Sequence, residues 1–227
     1  MSFKQFIFSA ALLVTTTVSA QQSQPAADVN VKGTPVQAQQ LELAGQLVKY
    51  GYQTKSALPL IQAVQIYKNL SMAAPTDKED KQSQGVEVAT GLTKSDLVSF
   101  DEAQLISDAT KYADGNKTLL ALIKDAEKST RGAVPGPFRR TDRVLGGHTD
   151  TWKIKFRGGE PAYVVVSGDG DTDLDLFIYD ENGNFITSDT DSSDDCVVSF
   201  NPKWTGFFYI KIKNLGSVYN RYLLATN

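Results

Sequence analysis

The 227-residue chain has one histidine, His148, and one cysteine, Cys196. A zinc site built on several His or Cys ligands is therefore excluded, as is any disulfide within the chain. Histidine-dependent catalysis has only His148, in a Gly-Gly-His-Thr-Asp turn, to work with, and no G-x-S-x-G motif supplies a nucleophile elbow. Basic excess is missing too. Twenty-three Lys and Arg face 26 Asp and Glu, a net charge of −3, which argues against a nucleic-acid partner. These absences point to a protein that is not an enzyme. Hydrophobic residues still make up 41% of the chain, enough for a packed core.

Long apolar runs are likewise absent. The longest opens the chain, where MSFKQFIFSAALLVTTTVSA places Lys4 before an apolar stretch and ends on the small residues Val18, Ser19 and Ala20. This reads as a signal peptide over residues 1–20, too short to span a bilayer, and predicts a secreted or periplasmic protein with no membrane span. Residues 21–34 read as a flexible leader.

From residue 35 to 129 the apolar residues recur at helical spacing. A first helix carries Leu41, Ala44, Leu47 and Val48 and stops at Gly51. A second starts at Ser56, whose hydroxyl caps it, with Leu60, Ile61, Val64 and Tyr67 on its apolar face. A polar stretch over 71–96 reads as a long mobile connection. Ser99 and Glu102 form a capping box for the third helix, and Asn116 caps the fourth. Residues 130–142, with Gly and two Pro, read as a linker. Beyond it the period falls to 2, with strands expected at 151–157, 162–167, 174–180, 184–188, 196–200, 206–213 and 219–226. The fold class is thus multidomain α+β: an N-terminal four-helix region, then an antiparallel, jelly-roll-like β-sandwich over 143–227.

What is present in excess is aspartate. Residues 169–195 hold ten Asp or Glu and no Lys or Arg. Crowded carboxylates on adjacent loops repel one another, and a hard cation with oxygen ligands relieves that repulsion, so calcium is the expected ion. Asp171, Asp173, Asp175, Asp191, Asp194 and Asp195 are its candidate ligands. Asp-Gly-Asp-Thr-Asp begins like an EF-hand loop, but Leu174 stands where Gly is needed, which excludes that motif. Trp204 and Tyr219 are candidate contacts for a polymer or protein partner, and Trp152 reads as core. Cys196, in the alternating run DCVVSF, reads as a buried strand residue.

The stretches LGGHTDTWKIKF, AYVVVSGDGDTDLDLFIYDENGN and PKWTGFFYIKIKNLG, with the Asp194–Asp195 pair and the closing YNRYLLAT, resemble the bacterial pre-peptidase C-terminal domain. The resemblance implies a small sandwich appended to secreted proteins, some of whose relatives bind calcium or adhere to polymers. It would place Asp173, Asp175, Asp194 and Asp195 at a cation. No peptidase domain precedes the sandwich here, so a peptidase role does not carry over. The combined expectation is an exported, non-catalytic binding or adhesion module stiffened by calcium. The alternative is an accessory envelope protein that interacts through its helical half.

Overall fold

The computed structural model describes residues 26–29, 35–70, 81–86, 98–128 and 138–227. The expected signal peptide lies outside the described residues, as does most of the expected leader.

Among the described residues four helices precede most of the strands: α1 (Val36–Thr54), α2 (Ala57–Asn69), α3 (Glu102–Tyr112) and α4 (Lys117–Lys128). Helix α1 does not stop at Gly51. A Cβ at Gly51 would collide with the Leu60 side chain, so this glycine lets α1 and α2 approach closely. The stop falls at Lys55, in the left-handed conformation (φ 50°), where the chain turns into α2. Ser56 occupies the N-cap of α2, but its hydroxyl makes no capping bond. The cap of α3 also differs from expectation. Asp101 accepts from the Gln104 amide at 2.9 Å, while Ser99 Oγ accepts from the Asp101 amide at 3.1 Å. Asn116 caps α4 as expected, accepting from the Thr118 and Leu119 amides at 3.0 and 3.2 Å.

Among the described residues ten strands make two antiparallel five-stranded sheets. Seven match the strands read from the sequence to within a few residues: β4 (His148–Phe156), β5 (Ala162–Gly168), β6 (Leu174–Asp180), β7 (Phe185–Asp189), β8 (Asp195–Pro202), β9 (Gly206–Asn214) and β10 (Asn220–Thr226). Three others arise where none was expected: β1 (Ala27–Asp28) within the leader, β2 (Lys81–Gly85) within the polar connection, and β3 (Phe138–Val144) across the end of the expected linker. The first sheet has the order β1-β8-β5-β10-β3 and the second β2-β4-β9-β6-β7. Segments before and between the helices therefore supply an edge strand to each sheet.

Alternation explains the core between the sheets. In β4, Trp152, Ile154 and Phe156 point inward; in β6, Leu174, Leu176 and Ile178; in β9, Phe208, Ile210 and Ile212. Phe156, Phe200 and Phe208 pack as one aromatic cluster with centroids 5.2 to 5.7 Å apart. Cys196, a free thiol, is buried in the same core, its Sγ donating to the Leu174 carbonyl at 3.1 Å, and burial pushes its pKa well above the ordinary range.

The middle of the first sheet is buried on both sides. Strands β5 and β10 turn Val164, Val166, Tyr222 and Leu224 into the sandwich, and turn Tyr163, Val165, Leu223 and Ala225 against the helices. That is why AYVVVS and YLLA read as continuous apolar runs rather than alternating ones. Helix α1 lies directly on β5, where a Cβ at Gly45 would collide with Ser167. The result is three layers: helices, first sheet, second sheet.

Candidate functional site

The acidic window contains a clamp between layers. Lys49, on α1, reaches Asp194 at 3.0 Å and Asp195 at 2.6 Å, the two residues where β8 begins. Burial works against the Lys49 charge, but the two carboxylates outweigh it and hold its pKa above the ordinary value. Asp195 is pushed up by burial, an effect that Lys49 only partly offsets. Asp194 also accepts from the Gly170 amide and, at 3.2 Å, from Asn220 Nδ2. Asn220 in turn donates to Thr172 and accepts from the Asp169 amide, and Asp169 accepts from the Arg221 amide at 2.7 Å. The carboxylates thus hold the loop after β5 to the start of β8 and to β10. A second tie crosses the same boundary: Arg139 of β3 stacks over Tyr67 of α2 at 4.3 Å and pairs with Glu102 of α3 at 3.2 Å.

The other candidate ligands stand apart from this clamp. Asp173 precedes β6, and Asp175 lies within β6 opposite Lys213 of β9. Burial, then the neighbouring Asp173 charge, pushes Asp175 up. Asp191 accepts from the Ser193 amide at 2.8 Å, and the Ser193 side chain, then this amide, holds its carboxyl below the usual range. Asp171 is exposed in the loop between β5 and β6. Among the described residues no group of three or more His, Cys, Asp or Glu side chains is placed to hold a metal ion. The Lys49 ammonium already occupies the position between Asp194 and Asp195 that a cation would take. This donor set therefore does not fit calcium as six converging ligands.

His148 begins β4, its Nδ1 3.0 Å from the Gly146 carbonyl oxygen. Asp150, two residues on, is fully buried; it pairs with Lys81 of β2 at 2.8 Å and accepts from the Tyr222 hydroxyl at 2.8 Å. The Tyr222 hydroxyl in turn accepts from Trp152 Nε1 at 2.8 Å. This is the core role expected for Trp152, and it seats β2 against the sandwich.

Among the described residues no helix packs on the outer face of the second sheet. Its outward positions follow from alternation opposite the buried ones: Lys155, Phe207 and Lys213 are exposed, and Lys153, Tyr209, Lys211, Phe177 and Tyr179 are half-buried. Register sets them in rows. Lys153 lies opposite Tyr209, Tyr209 opposite Tyr179, and Tyr179 opposite Phe185 of β7, with the last two rings edge to face at 5.8 Å. Lys153 Nζ sits 4.5 Å from the Phe207 ring and Lys211 Nζ 4.7 Å from the Tyr179 ring. Phe185 and Phe207 remain 51% and 39% exposed. A shallow depression of about 420 Å³ opens on this face, floored by Thr149, Thr151, Phe177, Tyr179, Lys211 and Lys213 and bordered by Gln84 and Gly85.

The expected contact residues stand outside these rows. Trp204 is exposed in the β8–β9 turn, three residues before Phe207, its Nε1 donating to Glu181 at 3.4 Å. Tyr219 precedes β10, half-buried between Arg143 and Arg221 at 5.7 and 5.5 Å. Sequence reasoning overlooked the rings and lysines of the open face, although the odd-numbered positions of FFYIKIK spell them out.

Compared with known proteins, the chain matches no family profile and no curated relative. Solved structures similar to part of it include the pre-peptidase C-terminal domain of a Bacillus anthracis collagenase, with 15% identity and a TM-score of 0.35 over 39% of this chain and 87% of that one. Another is PliG, a periplasmic inhibitor of g-type lysozyme from Aeromonas hydrophila, with 12% identity and a TM-score of 0.32 over 40% of this chain and 84% of that one. A third is the Yersinia pseudotuberculosis-derived mitogen, with 20% identity and a TM-score of 0.31 over 41% of this chain and 86% of that one. The resemblance read from the sandwich sequence recurs in the first of these. No helix among the described residues is long and apolar enough to cross a membrane.

Proposed function

We propose that the protein is an exported, non-catalytic binding module that engages its partner through the open face of the second sheet. The observation that carries this reading is that face itself: rings and lysines arrayed on a rigid sheet, where the equivalent face of the first sheet is covered by helices. Export rests on the N-terminal twenty residues. The reading does not require calcium, because Lys49 and backbone amides already satisfy the acidic pair.

Retention of the purified protein on an insoluble cell-envelope fraction tests it. Tyr179→Ser/Tyr209→Ser should abolish retention while leaving the melting temperature within a few degrees of the parent. Tyr219→Ala, away from the face, should retain the parent's behaviour. Equal retention of the parent and the Tyr179/Tyr209 variant would overturn the reading.

A further inference from the structure

Resting on that reading, we propose that the open face binds a linear acidic polysaccharide, a chain of sugars carrying carboxylates, laid across the strands. Three observations converge on this ligand chemistry.

The first is shape. Tyr209, Tyr179 and Phe185 stand in register on three successive strands with Lys153 at one end, so the apolar surface is a strip crossing the sheet rather than a pocket. Neighbouring strands lie about 4.8 Å apart. A strip of this form suits an extended chain that meets each ring in turn.

The second is charge. The whole chain is net negative, yet this face gathers four lysines against Asp175, opposite Lys213, and Glu181 at the border. Lys153 and Lys155 flank the strip on β4 and Lys211 and Lys213 lie beyond it on β9, so positive charge repeats on both sides of the rings. A polymer with a negative charge at regular intervals complements such an array, and several weak contacts on one chain add up.

The third is the kind of hydrogen-bonding group present. Gln84, Thr149, Thr151 and the two tyrosine hydroxyls offer short, neutral donors and acceptors beside the lysines, which is what a polyhydroxylated ligand needs. Within the described strands of the face every cation is a lysine rather than an arginine with the planar fork that suits phosphate; Arg143 and Arg221 surround Tyr219 instead. The face therefore favours a uronate polymer over a nucleic acid.

Calorimetric titration of the purified chain with sodium alginate tests the proposal, with dextran, a thymidine oligonucleotide and anionic phospholipid vesicles as comparators. Alginate should bind, and its affinity should fall roughly tenfold as salt rises from about 50 to about 300 mM. Lys153→Gln/Lys211→Gln should weaken binding roughly tenfold or more, with an unchanged melting curve. Phe185→Ser, at an exposed position that leaves the fold intact, should weaken it severalfold. Equal affinity for dextran and alginate, tighter binding of the oligonucleotide or vesicles, or full alginate affinity in the lysine variant would each overturn the proposal. Failure to bind alginate alongside envelope retention that still depends on Tyr179 and Tyr209 would sink this inference alone. Loss of both would sink the binding reading as well.

Discussion

On the outside of the first sheet, β5 and β10 present Tyr163, Val165, Leu223 and Ala225 to the helices. At the corresponding outward positions of the second sheet, β6 and β9 carry Phe177, Tyr179, Phe207, Tyr209 and lysines. Both sheets contribute the same kind of large aliphatic and aromatic residue to their shared interior. What differs is the side that has to decide between another layer and water. Along β5 and β10 the covered face uses uncharged residues, and the charges beside them, Arg139 and Asp195, are paired with Glu102 and Lys49, because a charge buried there needs a partner. The open face combines rings with lysines, whose aliphatic stems shelter the rings while the ammonium groups stay in water. Charge on an open sheet also discourages pairing with other chains.

The sharpest way to break this comparison is to remove one side chain from each face. Leu223→Ala should cost about 2–5 kcal/mol, because it leaves a cavity between the sheet and the helices. Phe207→Ala should cost no more than about 1 kcal/mol. Urea denaturation of both variants measures the contrast, and similar midpoints would mean that the helical layer contributes little to the first sheet's stability.

The clamp between layers comes next. Lys49→Gln should lower stability by about 1–2 kcal/mol, intermediate between an exposed and a buried ion pair. In a double-mutant cycle with Asp195→Asn the two losses should fall short of additive.

A smaller effect should appear in acid, at the boundary between β1 and the second sheet. Asp180 is buried and accepts from the Ala26, Asn182 and Asn184 amides at 3.1, 2.9 and 2.8 Å and from the Asn184 side chain at 2.8 Å. Burial alone would raise its pKa, but these bonds outweigh it and hold it below the ordinary 3.8. Its contribution is therefore present above the unfolded value and is lost as pH falls through the folded one. Asp180→Asn should be less stable than the parent at neutral pH, and the gap should close in acid. The smallest expected response is to calcium: millimolar calcium against chelator should move the melting temperature by less than about 1 °C.

Much of this architecture could be read along the chain. Seven strands and four helices follow from apolar spacing, and the runs AYVVVS and YLLA already carried the two-sided burial of β5 and β10 as an unbroken apolar stretch. The three unexpected strands have no such signature. KQSQG is polar throughout, and β2 is seated by Lys81 reaching the buried Asp150, a contact set by tertiary packing. The acidic window was legible as a concentration of charge. Its neutralisation was not, because Lys49 lies 145 residues from Asp194 on an otherwise ordinary helix. The open face was legible in principle, since the alternation that assigns Phe208, Ile210 and Ile212 to the core assigns Phe207, Tyr209 and Lys211 to the outside. Looking first to tryptophan obscured it.

The first sheet's role as the floor of the helical layer has a consequence for the order of events during synthesis. Helices α1 to α4 leave the ribosome before β5 and β10, so their apolar stripes emerge without the strand residues that complete their core. The edge strands β1 and β2 wait as well, since β8 and β4 are made after them. Several pairings join strands far apart in the chain, among them β1 with β8, β3 with β10 and β4 with β9, which favours a slow, concerted final closure over stepwise assembly from the N-terminus. Until the last strand, β10, is made, the newborn helical half is a ready client for a chaperone.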